Sequence, residues 1–96
     1  MRIPPNMSRT FLVSPGTPQT LAGGSPTAVL TPPLTVAAIP GALGTLLVEY
    51  QIAESGTWFE WPAGDVATAT IYVLTASVHA LRFTATTDYG TVEIAR

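Results

Sequence analysis

The side chains able to do chemistry are few and scattered. His79 is the one histidine and cysteine is absent. A metal centre built on imidazole and thiolate needs three or four such ligands, so no metal or other cofactor is expected. His79 is also the one candidate base for a serine nucleophile. None of Ser8, Ser14, Ser25, Ser55 and Ser77 sits in a G-x-S-x-G elbow. A histidine held by ordinary hydrogen bonds at a strand end is the simpler expectation. Glu49, Glu60 and Glu93 alternate with apolar neighbours, which places them on solvent-facing strand positions. Asp65 and Asp88 lie in turn sequences, where Asp bonds its own backbone. Two opposed carboxylates in a cleft, the requirement of glycoside hydrolysis, are not indicated. Residues 22–26 (AGGSP) lack the Lys and the following helix of a phosphate loop. No enzyme is expected.

Three further features weigh as binding chemistry. Trp58, Phe59 and Trp61 crowd one segment, and strict alternation sets Trp58 opposite Phe59 and Trp61. Burial in a core is the first expectation, a contact anchor the second, a sugar-stacking platform the third. Glu49, Arg82 and Glu93 have the spacing for a cross-strand charge cluster. The basic residues, Arg2, Arg9, Arg82 and Arg96 with no lysine, are too few and too dispersed to follow a phosphate backbone, so no nucleic acid is expected.

These groups need a scaffold, and composition bounds it. The chain has 96 residues, a net charge of −2, 47% hydrophobic residues and only 10% charged ones. A soluble domain usually carries about a quarter charged. A single small domain with so thin a polar coat is expected to bury surface against copies or partners. Apolar stretches such as residues 46–50 fall far short of the ~20 residues of a membrane helix, so no membrane is expected. Prolines interrupt the place where a leader peptide's apolar core would lie.

Eight of the nine prolines precede residue 41. Each fixes φ and removes a donor. Residues 1–40 therefore read as an extended arm, a poor source of central strands, with short strand pieces at 9–13, 27–31 and 34–39. Residues 41–96 read as an antiparallel β domain. Residues 45–53 alternate, with Val48, Tyr50 and Ile52 on one side. Residues 57–61 are aromatic-rich, residues 62–65 (PAGD) break the strand, and residues 68–74 are apolar enough to be buried on both faces. Residues 78–86 and 91–95 close the domain. The expected fold is all-β, a compact antiparallel sandwich or barrel with an extended proline-rich arm. Its expected core is Val48, Tyr50, Ile52, Phe59, Ile71, Val73, Leu81, Phe83, Val92 and Ile94.

Residues 44–96 resemble small β-sandwich structural proteins of tailed-phage virions. The resemblance rests on Val48-Glu49-Tyr50, the acidic-Gly turn at 54–56, Trp58 to Trp61, the stretch from Tyr72 to Arg82, and Gly90-Thr91-Val92. It implies a non-enzymatic virion component present in many copies, assembled in the host cytoplasm. Among such roles, a capsid decoration (cement) protein is expected, a homotrimer that bridges neighbouring major-capsid subunits through its arm. A neck, tail or fibre-anchoring subunit is the alternative within the virion. A carbohydrate-binding module using Trp58 and Trp61 is the alternative of another class. The expected partner contacts are Arg9, Phe11, Val13, Leu30, Leu34, Val36, Ile39 and Trp58.

Overall fold

Thr, Val, Ile and aromatic residues dominate the periodic segments, and their branched or flat side chains favour a pleated, half-buried surface. The computed structural model describes residues 8–22, 33–53, 55–75 and 77–95. These residues form eight strands: β1 (Ser8–Val13), β2 (Gln19–Ala22), β3 (Leu34–Pro40), β4 (Thr45–Gln51), β5 (Trp58–Val66), β6 (Thr70–Leu74), β7 (Ala80–Thr86) and β8 (Gly90–Ala95). They make two four-stranded sheets, ordered β1-β8-β3-β6 and β2-β7-β4-β5. All the strand pairs are antiparallel. The expected all-β sandwich is present.

The pairing follows one rule. β1 pairs β8, β2 pairs β7, β3 pairs β6 and β4 pairs β5. This is one long hairpin bent double, and the β3·β8 and β4·β7 ladders join its folded halves into two sheets. Eight strands in this order are a jelly roll, two Greek keys wrapped face to face.

The core lies between the sheets and draws on both halves of the chain. Val13, Leu21, Leu34, Val36 and Ala38 share it with Leu46, Val48, Trp61, Phe83, Val92 and Ile94. The arm expected over residues 1–40 is corrected for its described part: Ser8–Val13, Gln19–Ala22 and Leu34–Pro40 are three strands of the sandwich, and β3 is an inner strand of its sheet; residues 1–7 and 23–32 lie outside the described residues. The expected boundary at residue 40 falls between two packed strands. The physical reason is where the prolines stand. Pro15 and Pro18 sit outside β1 and β2, Pro33 precedes β3 and Pro40 ends it, so no proline interrupts the ladder from Leu34 to Ile39. Proline at a strand end costs no ladder bond. The expected strand piece at 27–31, and Leu30 with it, lie outside the described residues.

Two further expectations change. Ile71 and Val73 are exposed at 70% and 46%, and Ile52 and Phe59 are also exposed. β6 is an edge strand with one covered face, because β5 of the second sheet packs beneath Tyr72 through Trp61 (ring centroids 5.9 Å apart). The strand from Trp58 does not stop at Trp61 either. It runs to Val66 across a bulge, in which Glu49 faces Glu60 but Leu47 already faces Asp65. Gly64 has φ +68°, a left-handed conformation that glycine adopts without strain, and its carbonyl accepts the Trp61 indole N–H. Trp61 falls inward by plain alternation with Phe59, to 2% exposure, while Phe59 stays half open; the inserted residues after it set Val66 inward opposite Leu46.

Candidate functional site

Alternation gives each sheet an inner face for the core and an outer face for solvent or a partner. The outer face of β1-β8-β3-β6 is built in rows set by the register. Ser8, Ala95, Thr35 and Val73 form one row; Thr10, Glu93, Ala37 and Ile71 form the next; Leu12, Thr91 and Ile39 form a third. Small, β-branched and apolar residues fill it. Among the described residues Glu93 is the one charge on these rows, and exposed Arg9 of the edge strand β1 reaches the same surface. A shallow, open depression of about 360 Å³ crosses it, with Thr10, Thr35, Ala37, Ile71, Glu93 and Ala95 among its lining residues.

The outer face of β2-β7-β4-β5 is polar and bonded within itself. Arg82 Nε donates to Glu49 Oε1 at 3.0 Å. The Arg82 guanidinium also lies 4.3 Å from the centre of the Trp58 ring, a cation–π contact. Glu60 stands across from Glu49, and the Arg82 cation paired with Glu49 offsets part of the repulsion between the two carboxylates. Thr45 Oγ1 donates to Asp65 Oδ2 at 3.2 Å. The expected ion pair of Glu49 with Arg82 is present. Glu93 is not part of it, because β8 belongs to the other sheet.

At one end, two turns interlock. The β3–β4 turn meets the β7–β8 turn through Asp88, whose carboxylate accepts from Leu43 N (3.2 Å) and Tyr89 N (2.8 Å). The fit leaves no room for a side chain at Gly44, where a Cβ would stand 2.5 Å from the Thr86 carbonyl oxygen. Asp88 thus fastens loops. At the other end, the His79 amide donates to the Gln51 carbonyl at 2.8 Å, and Gln51 Nε2 donates to the Gly56 carbonyl at 2.9 Å. His79 sits at the entry to β7, as its position beside a strand implied.

The expected contact residues divide. Val13, Leu34 and Val36 are buried in the chain's own core, so they are not partner contacts; the apolarity that singled them out is what draws them inward. Phe11 packs edge-on against Phe83, with ring centroids 5.4 Å apart. Ile39 is half-buried on the outer face of the first sheet, Arg9 is exposed on β1, and Trp58 is half-buried under Arg82. The sugar platform loses both its rings as free surfaces: Trp61 is enclosed, and Arg82 covers one side of Trp58. Ile71, Val73, Thr91 and Ala95 are the residues of the low-charge face that sequence reasoning passed over. Their signal was the lack of charge at successive outward positions of β3 and β6, with Glu93 the single charge among those of β8.

Among the described residues, no three His, Asp or Glu side chains gather to hold a metal ion, and no buried side-chain polar atom lacks a hydrogen-bond partner. No protein-family model, curated protein or solved structure matches the chain.

Proposed function

We propose that the chain is a non-enzymatic structural subunit of a tailed-phage virion, a capsid decoration protein docked on neighbouring major-capsid subunits. The observation that carries this reading is the outer face of the first sheet, four strands wide with Glu93 the one described charge on its outward rows and Arg9 at its β1 edge. Such a face closes against a partner without stripping water from many ions, and apolar surface of this extent marks contacts more often than bare exterior. The motifs of residues 44–96 point the same way, and jelly rolls are a fold that viral capsids use, an argument by analogy of fold. We place the contact on this face because Ser8–Val13 and Leu34–Pro40 of the expected arm are strands of the sandwich.

The test is rebinding to particles stripped of the protein. Thr91→Lys with Ala95→Lys puts two cations on the outer face of β8 and leaves the inner side intact. The folded double variant should bind at least about tenfold more weakly, since each buried unpaired charge costs several kcal/mol. Full-strength binding rejects the reading. Copy number separates the roles: a count that follows the capsid lattice means decoration, and a count set by one vertex or ring means a neck or tail subunit.

A further inference from the structure

We propose that two copies of this chain join edge to edge through β6, antiparallel about a two-fold axis, so that their first sheets become one eight-stranded sheet. The inference stands on the strand edges alone and does not rest on the virion reading.

Among the described residues the sandwich has four edge strands with one side unpaired, β1, β6, β2 and β5. A free edge offers unpaired N–H and C=O groups to any passing strand, and proteins block such edges with charge, proline, bulges or shortness. Three of the four are blocked. β5 carries Glu60, Pro62, Asp65 and a bulge. β2 is four residues long and follows Pro18. β1 carries Arg9 on its inward row, in register with buried Ile94. β6 has none of these devices. Its sequence is Thr-Ile-Tyr-Val-Leu, with an unbroken register against β3.

The occupant is a second copy because β6 fits itself. With Tyr72 on the axis, Ile71 faces Val73 of the second copy and Val73 faces its Ile71, all on the outer side. Cross-strand pairs of β-branched residues stabilise an antiparallel ladder. Exposed Ile71 and Val73 each gain an apolar cross-strand neighbour. Charge also favours this geometry over stacking two outer faces, which would press Glu93 toward its own copy. In the edge pairing, Glu93 lies two strands in from β6 on each side. At about 4.8 Å per strand the two carboxylates stand roughly 24 Å apart, well beyond a screening length of about 8 Å. Phe59, half-exposed on the strand beneath β6, lies along the same side of the sandwich.

The experiment is the mass of the full chain in solution across a concentration series. Two copies are expected. Ile71→Lys should weaken association at least about tenfold, because lysine on an edge opposes pairing. Leu43→Lys, on an exposed turn distant from β6, should leave it unchanged. A single-copy mass at the highest soluble concentration, a three-copy mass, or a dimer indifferent to both Ile71→Lys and Val73→Lys overturns the proposal. Should the lysine variants fail to fold, hydrogen exchange of the unaltered protein decides. Amides of residues 70–74 slow as concentration rises if β6 pairs, and exchange that ignores concentration rejects the pairing.

Discussion

Leu34 on β3 and Leu46 on β4 hold matching places, one in each sheet, and neither has any exposed surface. On the opposite side of the same strands the match ends. Outside β4, Glu49 meets Arg82, Arg82 covers Trp58, and Thr45 bonds Asp65. Outside β3, Thr35, Ala37 and Ile39 form a carpet that meets Val73, Ile71 and Thr91. The sheets are equal partners in the core and unequal at the surface. The second sheet spends its polar groups on one another, and the first keeps its outer side nearly free of charge. In a chain with so few ions, that distribution decides which side can be covered by another protein at small desolvation cost.

The largest effects should fall where the sheets are alike. Leu34→Ala and Leu46→Ala should each destabilise by about 2–5 kcal/mol, the usual range for emptying a buried leucine site, read from denaturant midpoints. A Leu34→Ala chain as stable as the unaltered protein would break the comparison, since residues 34–40 would then lie outside the core. Next comes the interlocked end. Gly44→Ala forces a methyl against the Thr86 carbonyl and should cost about 1–3 kcal/mol, visible as a lower Tm. On the polar face, Arg82→Ala removes an ion pair and a cation–π contact and leaves Glu49 opposite Glu60. The loss should be about 1 kcal/mol, partly restored when Glu49→Gln is added. The smallest effect belongs to the bare face: Ala95→Lys should change stability by no more than about 0.5 kcal/mol. A large loss there would mean that the face already serves the monomer.

Much of this architecture was legible as alternation. β4, β7 and β8 read correctly because inward Val48, Leu81, Phe83, Val92 and Ile94 alternate with polar neighbours. β3 also read as a strand, yet its proline-rich surroundings disguised its central place. Proline density over forty residues says little; the gap between Pro33 and Pro40 says more. β6 misled for another reason. A run such as Ile-Tyr-Val has the same composition whether both of its faces are covered or only one, and its neighbours in the sheet are supplied by distant parts of the chain. The bulge after Trp61 defeated simple alternation, because the inserted residues carry the strand past the expected break at 62–65 and set Val66 inward opposite Leu46. Contact residues were the least legible. Val13, Leu34 and Val36 were chosen for their apolarity, and apolarity alone does not separate a core from an interface. The low-charge face could have been found from the outward residues of β3, β6 and β8, but only once those strands were known to be neighbours.

The nested order of strand pairs carries a consequence for how the chain acquires its shape. β4 and β5 are close in sequence and can meet early, whereas β1 must wait for β8, since closing a longer loop costs more entropy. β8 is also the strand that holds β1 and β3 together. A chain that ends before residue 90 therefore has all four strands of its second sheet and a first sheet with β8 missing from its middle. Until synthesis delivers β8, β1 lacks its one ladder partner and β3 is paired on one side only, by β6, and this interval is when the molecule is most open to misassembly.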